Sequence, residues 1–154
     1  MNPDDQGLRE WAYDPVAVEP QQDFDLLLAT IPQRSYVEFA GDVACPKADY
    51  FLRILYLIVG DAVRTDYSSD CRNTIDDLLQ AGRAQGSASV LAWVARSERL
   101  MLRPEEFDFD LWCGGGFVRP ERDEPAHGNR PQQTRALGSS RPCYHAAWTW
   151  TSDP

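Results

Sequence analysis

Lysine is nearly missing from this chain: of its fifteen cationic residues, fourteen are arginine and only Lys47 is lysine. Arginine usage of this kind points to a GC-rich, bacterial genome and carries no mechanism. Histidine is almost as scarce, with two in 154 residues, His127 and His145, both near the C-terminal end. A Ser–His or Cys–His nucleophile pair needs an imidazole within hydrogen-bond reach, so the first 113 residues hold none to supply it. The four cysteines, Cys45, Cys71, Cys113 and Cys143, are widely spaced in a chain too long to be a small disulfide scaffold. Free thiols are expected. Long apolar runs are absent too. No uninterrupted one exceeds the length of residues 54–59, against the roughly twenty residues a bilayer crossing takes. The opening MNPDDQGLRE has neither the basic nor the apolar region of a secretion leader. The chain is therefore read as cytoplasmic and without a membrane partner. Neither a P-loop nor a G-x-G-x-x-G frame occurs, and no cofactor or metal is expected.

What the chain has in excess is negative charge. Its formal net charge is −9, unevenly spread. Residues 1–112 carry twenty Asp and Glu against ten Lys and Arg, whereas residues 117–154 carry four acids against five arginines. Phosphate-binding surfaces need cations, so nucleic acid and anionic lipid are poor partners for this body. A protein with a basic surface is the partner that such a field attracts. At 154 residues and 43% hydrophobic composition, the chain is long enough and apolar enough to bury one core.

Helical periodicity dominates. In CPKADYFLRILYLIVGDAVRTDY, Phe51, Ile54, Leu55, Ile58, Ala62 and Val63 recur at spacings of three, four and seven, and Tyr50 and Leu57 widen the stripe. Pro46 suits the first helical position. Gly60 within the pattern costs about 1 kcal/mol against alanine, which a closely approaching neighbour would explain; the other reading ends the helix there. NTIDDLLQAG predicts a second helix, with Thr74 as N-cap, Asp76 and Asp77 at its positive end, Ile75, Leu78 and Leu79 inward, and Gly82 as its left-handed stop. SASVLAWVARSERLML predicts a third, capped by Ser87 or Ser89, with Leu91, Val94 and Met101 on one side and an end before Pro104. LREWAYD, QDFDLLLATI and PQRSYVEFAG predict three short helices, although RSYVEF alternates well enough for a strand. The fold expected is all-α, a bundle of about five to seven helices over residues 1–113. Residues 114–154, with five prolines after Phe117 and few aliphatic residues, are expected to be a largely disordered tail, abrupt enough to be a readthrough or out-of-frame extension.

The motif FDFDLWCGGG, residues 107–116, gathers acids, a thiol and glycines. One reading makes Gly114, Gly115 and Gly116 an anion nest, with Cys113 as nucleophile and Asp108 or Asp110 as base. The favoured reading makes PEEFDFDLW a single short helix, with Phe107 and Leu111 inward, that the glycines stop. Acidic neighbours make Cys113 a poor thiolate, and no helix follows to bind phosphate. The tetrapeptide DFDL occurs twice, at 23–26 and 108–111, yet residues two apart on a helix point away from each other. Zinc on Cys113, His127, Cys143 and His145 fits no usual spacing. Trp11, Trp93 and Trp112 lie in amphipathic segments and are read as core or groove residues, whereas Trp148 and Trp150 lie in the tail.

Three functions are consistent with these residues. The preferred one is a non-enzymatic interaction protein, immunity-type or regulatory, meeting a basic partner through Asp23, Asp25, Asp76, Asp77, Asp108 and Asp110 with Trp93 or Trp112 as aromatic anchor. The second is a carboxylate-based enzyme, with or without a divalent metal, that draws Arg53 or Arg96 into its site. The third is a small-ligand binder in a groove lined by Tyr50, Tyr56 and Trp93.

Overall fold

The computed structural model describes residues 5–18, 22–66 and 69–118. Among them are seven α-helices, one 3₁₀ turn and no strand, so the fold is all-α. The helices are α1 (Asp5–Tyr13), α2 (Gln22–Thr30), α3 (Ser35–Gly41), α4 (Ala48–Arg64), α5 (Ser69–Gln85), α6 (Ala88–Leu102) and α7 (Phe109–Trp112), with the 3₁₀ turn at Pro104–Glu106. None of the helices so described is long and apolar enough to cross a membrane.

The apolar stripe of α4 is wide enough to be surrounded, and it is. This helix touches α2, α3, α5, α6 and α7, and Tyr50, Phe51, Ile54, Leu55, Ile58 and Ala62 are all buried in it. Phe51 is the aromatic hub, with ring centroids 4.8 Å from Phe39, 5.7 Å from Tyr36 and 5.8 Å from Trp11. Pairs at such distances add stabilisation beyond their buried area. The helix begins at Ala48, two residues after Pro46, because residues 45–47 first make a turn in which the Ala48 N–H donates to Cys45 O at 3.1 Å. It then runs past Gly60 without a break.

RSYVEF is helix, not strand. Tyr36, Val37, Phe39 and Ala40 are buried together on α3, a helical pattern that the alternation of a six-residue window obscured. The Tyr36 hydroxyl donates to Ile31 O at 2.9 Å and fixes the end of α2.

Two expected boundaries of α5 were wrong. The helix starts at Ser69, with Thr74 inside it, and passes through Gly82 to Gln85. Gly86, at φ +78°, is the left-handed residue at its end. Gly82 instead admits α6: a Cβ there would lie 2.7 Å from Val94 Cγ2 and 3.0 Å from Trp93 Cζ3. On α6 the buried stripe is Val90, Trp93, Val94, Ser97 and Leu100. Leu91, expected inside, is 43% exposed. Ser87 sits at the N-cap without a side-chain capping bond, and α6 ends before Pro104 as the proline requires.

PEEFDFDLW is two pieces rather than one helix. After the 3₁₀ turn the chain extends at Phe107 and Asp108, and the Asp108 carboxylate then accepts the Leu111 N–H at 3.0 Å to cap α7. That break rotates the register. Trp112 goes inward and Leu111, expected inside, faces solvent. Packing continues beyond the boundary expected at residue 113, since Phe117 and Val118 lie against the core. The remainder of the expected tail, from residue 119 on, lies outside the described residues.

Candidate functional site

Tyr50, Arg53, Ile54 and Leu57 stand at spacings of three, four and seven on α4 and share one face. α2 brings Asp25 to that face, where the Tyr50 hydroxyl donates to Asp25 Oδ1 at 2.6 Å. The Arg53 guanidinium lies 5.4 Å from the centre of the Tyr50 ring. Its stem rests on Gly115, whose φ of +82° and lack of Cβ keep the backbone close; a Cβ there would lie 3.2 Å from Arg53 Cδ. Cys113 and Gly114 close the other wall, leaving a cleft of about 50 Å³. Of the two DFDL copies only the first reaches the cleft, through Asp25; the other wall comes from residues 113–115, beyond the second copy.

The chemistry available there is limited. Room for roughly one or two waters is far short of the several hundred Å³ of an organic-ligand site. Burial, and then Asp61, push the Cys113 thiol up despite Arg64, so it is held as a thiol and is a poor nucleophile. The glycine turn is folded on itself: the Gly114 N–H donates to Phe109 O at 2.9 Å and the Gly116 N–H to Asp110 O at 3.0 Å. Those donors face the chain and not a ligand. The motif is a helix stop packed on α4.

A second cluster forms where the chain returns after the glycines. Tyr56, Trp112 and Phe117 make three mutual ring contacts with centroids 4.8–5.4 Å apart. Arg96 Nη1 donates to the Tyr56 hydroxyl at 2.7 Å, and its guanidinium stands 4.5 Å from the Phe117 ring centre. Burial raises the Tyr56 phenol, with Arg96 opposing it.

A third, which the sequence did not reveal, ties α1 to the α3–α4 connection. The Tyr13 hydroxyl donates to Asp42 Oδ2 at 2.6 Å and the Cys45 thiol to Ala12 O at 3.4 Å. Lys47, the one lysine, is buried with its ammonium on Asp14 O and over the Trp11 ring. No local pattern marks a lysine as internal; only the arrival of α1 makes it so.

The acids proposed for binding are dispersed. Asp25 is in the cleft. Asp76 and Asp77 are exposed on α5, with Asp77 3.6 Å from Arg34. Asp108 is a cap, and Asp110 is exposed on α7. Asp23 belongs to α2, its side chain outside the described residues. Among the described residues no three carboxylate, thiol or imidazole groups gather at metal-binding range. Trp93 at 0% exposure and Trp112 at 4% are core side chains, so neither offers its ring to solvent as an aromatic anchor. Tyr50, Tyr56 and Trp93, named for a groove, are likewise buried. His127, Cys143, His145, Trp148 and Trp150 lie outside the described residues.

No protein-family model matches this chain, and no curated protein or solved structure matches it either.

Proposed function

We propose that the protein is a non-enzymatic, cytoplasmic binding factor, immunity-type or regulatory, whose acidic body meets a partner protein of basic surface. The observation that carries this reading is how the cations of the body are used. Arg9, Arg34, Arg64, Arg83, Arg99 and Arg103 all pair with carboxylates of the same chain. Lys47 is turned inward. The excess acid is therefore left facing solvent, and Asp76, Glu105 and Asp110 are exposed without an ion-pair partner among the described residues. Such a field speeds association with a cationic surface and is screened by salt.

The enzyme and groove readings gain less support. The carboxylates do not converge among the described residues, and the residues named for a groove are packed in the core. The test is affinity capture with the full chain at about 50 mM and about 500 mM salt. A basic protein recovered at low salt, lost at high salt and weakened by Asp76→Asn with Asp77→Asn supports the reading. Recovery of no protein at either salt rejects it.

A further inference from the structure

We propose that α1 is an exchangeable cover, and that the aromatic surface beneath it is a helix-docking site which α1 of a second copy of this chain can fill in its place. The structure shows the kind of occupant this surface takes. Leu8, Trp11 and Ala12 recur at spacings of three and one along α1 and form its inward stripe, with Leu8 and Ala12 buried. The Trp11 ring stands edge-on to Tyr50 at 5.2 Å and to Phe51 at 5.8 Å, and Tyr13 stands edge-on to Phe39 at 5.9 Å. Polar contacts fix the register: Arg9 Nη2 donates to Glu38 Oε2 at 2.9 Å, the Tyr13 hydroxyl to Asp42, and the Cys45 thiol to Ala12 O. These receiving groups all belong to residues 38–51, one continuous stretch from α3 through the connection into α4.

Two features let α1 leave. It is nine residues long with Gly7 inside it, below the roughly 12–15 residues at which an isolated helix holds itself in water. Its helicity therefore depends on being docked, and undocking is a local opening of the fold. The connection after it is not packed down: residues 14–18 carry no helix, and Val16 and Val18 are 84% and 85% exposed. A new path for this connection uncovers little further apolar area. Opening also returns the buried Lys47 ammonium to water, which offsets part of the apolar cost.

Undocking lays bare Phe39, Tyr50 and Phe51, and a second α1 covers them again with the same contacts. Residues 14–21 can extend to at most about 26–29 Å, against about 8–10 Å between the axes of packed helices. A helix so tethered reaches the surface of a neighbouring copy while it stays joined to its own α2. Reciprocal exchange of one element then closes a symmetric pair. Each copy carries a formal charge of −9, so the bodies repel and salt favours the exchanged pair. That salt dependence is opposite in sign to the one expected for a basic partner, and the exchange does not rest on that reading.

The probe is a fluorescein-labelled synthetic peptide of residues 1–18, titrated onto the full chain by fluorescence anisotropy. In the wild-type chain the resident α1 competes, so the apparent affinity is lowered by the fraction of chains that are open. Leu8→Ser in the chain loosens the resident helix and is expected to tighten binding of the wild-type peptide about tenfold or more. Leu8→Ser in the peptide is expected to weaken binding by about as much, and Leu91→Ser on α6 to leave it unchanged. Circular dichroism melts check each variant; should Leu8→Ser unfold the chain, Arg9→Ala with Tyr13→Phe, which removes the bonds to Glu38 and Asp42, decides in the same direction. Sedimentation of the wild-type chain is expected to show dimer at about 1 mM, the range in which a short tether is matched, and more of it at about 500 mM than at about 50 mM salt. No peptide binding, equal binding to the wild-type and loosened chains, or equal binding of a scrambled peptide overturns the exchangeable cover. Peptide binding without dimer at about 1 mM overturns the second copy as its occupant. The affinity-capture test of the basic-partner reading is decided separately from all of these.

Discussion

The Cβ of Trp112 rests on the bare backbone of Gly60. A Cβ placed on Gly60 would lie 2.8 Å from it, and 3.3 Å from both Cys113 Sγ and Phe107 Cε2. The glycine in the middle of the central helix is therefore the seat on which the end of the helical body sits. Its intrinsic cost to α4 is offset by this contact.

Gly60→Ala is accordingly expected to destabilise the fold despite the better helix propensity of alanine. Propensity favours the variant by about 1 kcal/mol, but lodging a methyl in a closed contact costs about 1–3 kcal/mol. Urea denaturation should show a net loss, together with a shift in Trp112 emission. A gain in stability would mean that α7 does not bear on Gly60.

Ser97→Ala is expected to be neutral or to stabilise by up to about 1 kcal/mol. The Ser97 hydroxyl is fully buried on α6 and has no hydrogen-bond partner among the described residues. Removing an unpaired buried polar group relieves its desolvation cost, and alanine is the better helix former. Thermal and urea melts measure the difference. A loss above about 1 kcal/mol would reveal a partner for the hydroxyl.

The link between Tyr13 and Asp42 gives stability two pH limits. The Tyr13 hydroxyl, and then the Ala44 N–H, hold the Asp42 carboxyl below its ordinary 3.8. That contribution is present above pH 3.8 and is lost as pH falls through the depressed value. The bond to Asp42 pushes the Tyr13 phenol from 10.0 to about 12. Its contribution is complete below pH 10.0 and is lost as pH rises to about 12. Tyr13→Phe should lie slightly below the wild type between these limits and merge with it beyond both, the gap being small because the pair is open to solvent. A gap that persists beyond the alkaline limit would assign the effect to packing against Phe39.

The thiols should differ sharply in reactivity. Cys71 is exposed on α5. Burial raises both Cys45, whose thiol donates to Ala12 O, and Cys113. In a Cys143→Ser background, Ellman's reagent at pH 8 should modify Cys71 at least about tenfold faster than the other two. Fastest reaction at Cys113 would restore its motif as a nucleophilic site.

The composition and periodicity of the chain already determine an all-helical body. Spacings of three and four from Tyr50 to Val63 can bury only as helix, and that stripe is too wide for a surface helix, so α4 had to be central. The acid excess and the lack of histidine before residue 127 are likewise facts of the chain. Helix ends were less legible, because Gly82 and Gly86 are alike in sequence and only the approach of Trp93 and Val94 distinguishes a contact glycine from a stop. The candidate sites were hardest to read. The amphipathic settings of Trp93 and Trp112 do not separate core from groove until the helices close over them, and Lys47 resembles a surface cation until α1 covers it. The first DFDL segment gave no sign that its Asp25 borders a cleft with residues 113–115. Which acids remain unpaired, and which apolar residues of 102–111 turn outward, depends on contacts between residues far apart in the chain and on the cap at Asp108. Local pattern sets the type of each element; packing decides which of its faces is left to meet another molecule.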